Sequence, residues 1–209
     1  MRRALYAISL FLIVCGVVQL AVPINDLLNE RRETETQVEQ FVEKAESVNE
    51  GHSVPDNPES EEDSVSMTED IQGIITIKAI GLSAPIVIGT EPENLKKYVG
   101  MYEEFSSFGE NGVIGLAAHS TSSITPCAHC FFQNIPDLQT GDIIEILWFE
   151  NSSGNYSKYE YAVCKVMNWE QENTVNVFEK IDDTETLVLQ TCTNGKEGVR
   201  TYVVAKRIQ

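Results

Sequence analysis

The chain has 209 residues, a formal net charge of −17 and 42% hydrophobic residues, which fits one folded domain with additional segments or two small domains. The acidic excess argues against nucleic acid as a partner, because binding to phosphates needs clustered Lys and Arg. The five cysteines are irregularly spaced, which is not the pattern of a disulfide framework.

The first segment, residues 1–24, predicts a transmembrane signal-anchor. Arg2 and Arg3 precede an uncharged run, residues 4–24, that is rich in Leu, Ile, Val and Phe. About 20 such residues cross the ~30 Å hydrocarbon core as a helix, and the positive-inside rule keeps the arginines in the cytoplasm. We therefore expect a single-pass protein of the cell membrane with an extracytoplasmic C-terminal domain. A cleaved signal peptide is the alternative, although the run lacks a clean small-x-small cleavage site.

The next segment, residues 25–72, predicts an acidic linker. A loose apolar stripe over residues 27–48 favours a helix, which either continues the anchor or packs on the domain. Residues 49–70 contain prolines and many acids but no Lys or Arg, so they bury too little apolar surface to offset the entropy of ordering. We expect this second half to be a disordered tether.

Residues 73–209 predict one folded domain made mainly of β-strands. Apolar residues recur in short runs that turn residues separate. The predicted strands cover residues 74–80, 85–88, 113–118, 143–149, 159–166, 186–191 and 199–208, with short helices near 93–98 and 131–138. Short strands with few helical runs are typical of a closed or nearly closed β-barrel.

Three residues suited to acyl transfer stand at the ends of predicted strands: Cys192, His119 and Arg200. A cysteine reacts as the thiolate, which a neighbouring imidazolium or guanidinium favours. An imidazole can protonate the leaving amine and deprotonate the incoming one, and a guanidinium can stabilise the oxyanion. A cysteine at a strand end is more often a core residue, so the residue types alone do not establish catalysis.

The end of the chain resembles the signature of the sortase family, in which Thr-Leu-x-Thr-Cys precedes an Arg on the next strand. The chain carries the matching residues Leu189, Thr191, Cys192 and Arg200. It departs from the pattern at Val188, where the family usually has Thr. The glycine-rich segment 109–119 is similar to the family's lead into an Ala-(Gly/Ala)-His strand end, and the resemblance as a whole covers residues 73–209.

The resemblance implies a closed eight-stranded β-barrel and a cysteine transpeptidase. Sortases cleave surface proteins at a Leu-Pro-x-Thr-Gly sorting signal through a thioester. They pass the acyl group to an amine of a cell-wall precursor such as lipid II, or to a pilin lysine. By position, Cys192 is the nucleophile, His119 the general acid and base, and Arg200 the residue that holds the substrate and the oxyanion. We expect the substrate groove to include Thr191, Ala118, Trp169 and Val177.

Class and mechanism leave alternatives open. The N-terminal anchor and the short Cys192–Arg200 loop favour an anchoring class, resembling sortases A, D or E, over a pilin-polymerising sortase. A non-catalytic, membrane-tethered binding module would instead have a buried and inert Cys192. A thiol peptidase that passes the acyl group to water would use the same residues as a transpeptidase.

Two further motifs suggest weaker alternatives. Cys127-Ala128-His129-Cys130 resembles half of a zinc site, but we expect two free thiols there, with a disulfide and a catalytic role for His129 as alternatives. Some sortases bind calcium through acidic residues in these regions. The acids of this chain are more typical of a solvated face, so we expect no cofactor. These acids are Glu91, Glu93, Glu103, Glu104, Glu110, Glu170, Glu172 and Asp182.

Overall fold

The computed structural model describes residues 2–50, 71–120, 127–170 and 185–208, with residues 2–23 described as backbone only. The described α-helices are α1 (Arg2–Asn49) and α2 (Pro92–Leu95), and short 3-10 turns lie at Lys78–Ile80 and Ile135–Asp137. The described strands are β1 (Ile71–Ile77), β2 (Leu82–Ile88), β3 (Val99–Met101), β4 (Val113–Ala117), β5 (Ile143–Glu150), β6 (Asn155–Glu170), β7 (Thr186–Cys192) and β8 (Val199–Arg207).

The strands close into a barrel in the order β1-β2-β3-β4-β7-β8-β6-β5. The prediction of a mainly β, closed eight-stranded barrel is therefore confirmed. Two neighbouring pairs, β2 with β3 and β4 with β7, run parallel, and the other pairs are antiparallel. The parallel pairing of β4 and β7 brings the carboxyl ends of two strands to the same edge of the barrel.

Alternation along the strands divides the barrel wall into an inner and an outer face. In β7, Leu187 and Leu189 belong to the main core, whereas Val188 belongs to a separate cluster on the outside of the wall. We call this second group the outer-face cluster. Its members are Val113, Val188 and Tyr202, with the partly buried Tyr102, Phe105, Met167, Trp169 and Val204 packed against them.

A bulge in β6 directs two long side chains to this outer face. Before the bulge, Tyr161 and Val163 point into the core, and after it Val166 does, so the inward positions change from odd to even numbers. The pairing of β6 with β8 shifts register between Val163 and Lys165, because the bulge inserts one extra residue. Met167 and Trp169 therefore pack on the outer-face cluster instead of in the core.

Helix α1 packs against the opposite half of the barrel wall. Phe41 and Ala45 are each 2% exposed and join a cluster with Ile74, Val87 and Tyr156 of the barrel. Where the helix ends, Asn49 donates a hydrogen bond from Nδ2 to the Tyr156 carbonyl at 3.0 Å and accepts one from the Tyr156 N–H at 3.2 Å. The segment 27–48 is thus helical and packs on the domain.

The predicted anchor and tether lie largely beyond this description. The anchor over residues 4–24 falls almost wholly among residues whose side chains are not described, and most of the tether over residues 49–70 lies outside the described residues. In the part of the chain whose side chains are described, no helix is long and apolar enough to cross a membrane.

Candidate active site

Three neighbouring strands bring the candidate catalytic residues to one edge of the barrel. Ala117 of β4 is the partner of Gln190 in the parallel β4–β7 pair, and the pairing continues with a 3.3 Å hydrogen bond from the Ala118 N–H to the Gln190 carbonyl. His119 follows one residue after this bond, and Cys192 two residues after Gln190. Both residues therefore leave the wall at the same edge.

Cys192 and Arg200 stand directly opposite each other on β7 and β8. The next pair, Thr193 and Val199, is joined by a 3.0 Å hydrogen bond from the Thr193 N–H to the Val199 carbonyl. Hydrogen-bonded and non-hydrogen-bonded pairs alternate in an antiparallel ladder, so Cys192 and Arg200 form the closer type, with Cα atoms about 4.5 Å apart. The Arg200 side chain therefore starts beside the thiol, and its Nη1 donates a 3.4 Å hydrogen bond to the Val199 carbonyl.

Both side chains lie on the outer face of the barrel. Cys192 has the same parity as Val188, and Arg200 the same parity as Tyr202, both of which belong to the outer-face cluster. Cys192 is a free, exposed cysteine, and Arg200 is half-buried. The binding-module alternative predicts a buried thiol, and Cys192 is not buried.

His119 is exposed, and its backbone is held from two sides. Its carbonyl accepts a 3.2 Å hydrogen bond from the N–H of the fully buried Phe132. The preceding carbonyl, that of Ala118, accepts a 2.8 Å hydrogen bond from the Thr191 hydroxyl. One buried hydroxyl therefore joins the residue before Cys192 to the residue before His119.

The four residues that we expected in the substrate groove differ in exposure and position. Thr191 and Ala118 are 2% and 5% exposed, so they lie beneath the surface and connect β7 to β4. Trp169 is half-buried on the outer face, where it is the cross-strand partner of Arg200. Val177 lies outside the described residues.

The expectation of free thiols at Cys127 and Cys130 is wrong, because these residues form a disulfide with Cα atoms 5.4 Å apart. The sequence does not decide this, since a separation of three residues permits either state. The disulfide also removes both sulfurs as thiolate ligands for zinc. Across the described residues, no group of three or more His, Cys, Asp and Glu side chains is arranged to hold a metal ion.

The rival histidine, His129, lies between these cysteines and against helix α1. Its pKa is lowered by burial and by Lys97, while Glu30 and Glu33 of α1 oppose this shift. Its ring also makes an edge contact with Phe131, with ring centroids 5.8 Å apart. The neighbours that act on His129 thus belong to the α1 side of the domain.

Sequence reasoning missed one polar pair on the outer face. The Tyr102 hydroxyl donates a hydrogen bond to Gln190 Oε1 at 3.0 Å. Burial, Tyr202 and Glu104 raise the pKa of Tyr102, whereas the charge of Arg200 lowers it, so the guanidinium lies within electrostatic reach of this pair. The available signal was a single Gln that directly follows the apolar run of residues 187–189.

Comparison with known proteins gives a consistent family. The family described as "Sortase domain" matches residues 75–208. Sortase D of Bacillus subtilis (strain 168) is 25% identical over 188 residues, which are 88% of this chain and 87% of that protein.

Solved structures agree with this match. A sortase D5 transpeptidase of Clostridium perfringens is 25% identical with a TM-score of 0.58, covering 86% of this chain and 98% of that one. Sortase A of Listeria monocytogenes shares the fold at 21% identity, with a TM-score of 0.54 over 68% of this chain and 89% of that one. Because the domain match spans well over half of the sequence, the chain belongs to the sortase family of transpeptidases.

Proposed function

We propose that the protein cleaves an LPXTG-like sorting signal through a thioester on Cys192 and transfers the acyl group to an amine of a cell-wall precursor. The observation that carries the proposal is the placement of an exposed thiol directly opposite Arg200. His119 leaves the neighbouring strand at the same edge. A thiol, an imidazole and a fixed positive charge at one edge of the barrel support the roles of nucleophile, proton carrier and oxyanion partner.

The chemistry follows from the three roles. The Cys192 thiolate attacks the carbonyl of the scissile peptide, and Arg200 stabilises the oxyanion that forms. His119, as the imidazolium, protonates the leaving amine while the C–N bond breaks, which leaves a thioester. The neutral imidazole then takes a proton from the incoming amine, the new amide forms, and the thiolate leaves.

An anchoring role at the cell surface fits this chemistry. Two similar proteins at 25% identity are named sortase D, which agrees with the expected resemblance to sortases A, D or E. The apolar run of residues 4–24 would hold the protein in the membrane. The Cys127–Cys130 disulfide supports an extracytoplasmic domain, because disulfides persist in oxidising compartments.

The test is a peptide cleavage and transfer assay on the full chain in detergent. Cys192→Ala, His119→Ala and Arg200→Ala should each lower turnover of LPXTG-like peptides by at least about 100-fold, since nucleophile, proton transfer and oxyanion stabilisation each contribute on this scale. Cys164→Ala is the matched control, because Cys164 is also a free, exposed cysteine, and it should keep full activity. Turnover that survives Cys192→Ala would refute the proposal.

The same assay separates transfer from hydrolysis. Addition of triglycine or a peptide-stem amine should convert the hydrolysed product into the amide-linked product. An unchanged product profile would instead identify a thiol peptidase.

A further inference from the structure

The Cys127–Cys130 disulfide presents two sulfurs with unequal exposure. Cys130 is buried, with 9% of its surface exposed, whereas Cys127 is half-buried. Both cysteines line a half-open cavity of about 240 Å³ between helix α1 and the barrel. One water molecule needs about 10–15 Å³ of such space, so the cavity has room for a cysteine side chain or a small thiol. A thiol that enters the cavity therefore meets Cys127 more readily than Cys130.

The walls of the cavity suit a polar thiol. Arg31, Thr34 and Glu35 of α1 line it from the helix, and Ser83 and Asn134 line it from the barrel. A few polar groups in a cavity orient a ligand that carries its own donors and acceptors. Peptides that contain cysteine, such as glutathione, have amides and carboxylates for these groups. Disulfides with an accessible sulfur are typically the labile or regulatory ones.

The turn that this disulfide closes also holds the backbone of His119. The Cys130 carbonyl accepts a 3.1 Å hydrogen bond from the Gln133 N–H. Between them in sequence, Phe132 is fully buried in the main core and donates its N–H to the His119 carbonyl at 3.2 Å. The cross-link and the support of His119 therefore belong to one short segment.

Opening the disulfide should loosen this segment. The closed bond holds the two cysteine Cα atoms 5.4 Å apart. Once the bond is open, hydrogen bonds and packing alone position the turn, and a surface turn with few such restraints opens at low free energy. The His119 imidazole transfers protons only within hydrogen-bond reach, and a misplacement of about 1 Å costs up to about 100-fold in rate. The state of the disulfide is thus coupled to the proton-transfer residue.

We propose that Cys127 and Cys130 form a thiol–disulfide exchange site that regulates the transpeptidase. The enzyme is fast with the disulfide closed and slow with it open, and the ligand of the site is a polar thiol whose sulfur bonds to Cys127. The regulated activity rests on the proposed function and deepens it. The exchange itself depends only on the accessibility of Cys127.

The exchange with a dithiol balances in two steps. The thiolate of the dithiol attacks Cys127 Sγ, the bond to Cys130 breaks, and Cys130 leaves as a thiolate that takes a proton from solvent. The second thiolate of the dithiol then attacks its own sulfur in the mixed disulfide, and Cys127 leaves and is protonated. The dithiol is oxidised to a disulfide, and Cys127 and Cys130 are reduced to two thiols. A partner disulfide reverses both steps.

The first experiment locates the exchange without turnover. Cys130→Ala and Cys127→Ala are each made in a full chain that also carries Cys164→Ala and Cys192→Ala. Both proteins are treated with oxidised glutathione, and peptide mass spectrometry follows the mixed disulfide. Cys127 should react at least about tenfold faster than Cys130, because burial hinders access and disfavours the thiolate. Equal rates, or a faster Cys130, would overturn the assignment.

The second experiment measures the regulation. The full chain is reduced with a phosphine, the phosphine is removed, and alkylation followed by mass spectrometry counts the open disulfides. Reduction should lower kcat about tenfold at nearly constant KM, since His119 acts in proton transfer and not in binding, and air reoxidation should restore kcat. The double variant Cys127→Ser/Cys130→Ser should have the kcat of the reduced enzyme and should not respond to the phosphine.

Three results would overturn the inference. One is a disulfide that resists the phosphine while the protein is folded. Another is an equal kcat with the disulfide open and closed. The third is a fall of kcat that the double variant shows as well, which would place the effect at another residue. Thermal unfolding verifies that each protein is folded in the assay, and Cys127→Ala/Cys130→Ala replaces the serine variant if the latter is not.

Failure of the proposed function would look different, because the enzyme would then transfer no peptide in either redox state. In that case, hydrogen exchange decides the coupling to His119 without turnover. Protection of the Phe132 N–H, which bonds the His119 carbonyl, should fall at least about tenfold on reduction if the turn opens locally. Equal protection in the two states would refute the coupling.

Discussion

The Thr191 hydroxyl makes a buried hydrogen bond that connects the strand that carries Cys192 to the segment that leads to His119. Thr191→Val removes the O–H group at nearly constant volume and leaves the Ala118 carbonyl without its 2.8 Å partner. An unsatisfied buried acceptor costs about 1–3 kcal/mol. A loss of about 2 kcal/mol lowers the melting temperature by about 4–8 °C for a domain of this size.

The same change should affect catalysis, because the bond fixes the spacing between the two strand ends. A loss of positioning worth about 1.4–2.7 kcal/mol in the transition state lowers kcat/KM about 10- to 100-fold. The assay is peptide transfer by the full chain, with differential scanning calorimetry in parallel.

Two variants make this reasoning falsifiable. Thr191→Ser keeps a hydroxyl and should retain most of the activity. Thr76→Val removes a hydroxyl that pairs with Ser83 on the exposed outside of β1 and should change stability by less than about 0.5 kcal/mol. A Thr191→Val protein as stable and as active as the wild type would refute the view that this hydroxyl connects the two halves of the site.

Three further predictions concern other parts of the domain. Replacement of Cys127 and Cys130 by Ser should lower both the melting temperature and kcat/KM, because the loop that bonds the His119 carbonyl loses a cross-link; equal kcat/KM with and without the disulfide would contradict this. Burial and the bond to Glu150 raise the pKa of the Tyr159 hydroxyl to about 12 from the ordinary 10.0. The folded state therefore holds this proton more tightly than the unfolded chain, and urea titrations should show stability falling as pH rises from 10 towards 12, with a shallower fall in Tyr159→Phe. Phe41→Ala should cost about 3–5 kcal/mol at the α1–barrel contact and expose the helix to limited proteolysis, whereas an unchanged cleavage pattern would show that the contact is unimportant.

The strands that the sequence predicts are those in which burial alternates or is continuous over five or more residues. β4 and β7 are examples, because burial is continuous along their apolar runs. The polar residues that follow, His119 and Cys192, mark where these runs end. β3 was missed, since its three residues, Val99–Met101, carry no alternation and are held only by pairing with β2 and β4. Tertiary contacts decide such a short strand, and local pattern does not contain them.

The candidate site also has features that the local sequence predicts and features that only tertiary structure decides. The types and strand-end positions of Cys192, His119 and Arg200 were readable from the sequence, but their placement at one edge of the barrel was not, because it depends on the register of three strands. The bond between Tyr102 and Gln190 joins residues 88 positions apart, and no local pattern signals it. The bulge that turns Trp169 outward was equally hidden, since one inserted residue reverses the facing of all that follow.

Helix α1 is packed on one side of the barrel and extends from it towards the N-terminus. It contacts β1, β2 and β6, whereas the thiol, the imidazole and the guanidinium lie on the half of the wall formed by β4, β7 and β8. Residues 24–49 span about 39 Å as a helix, and each residue turns the chain by about 100°. The number of residues in the helix therefore sets the rotation of the catalytic face about the helix axis. If one residue is inserted between residues 28 and 33, the catalytic face should rotate by about 100° about the helix axis relative to the N-terminal end of the helix.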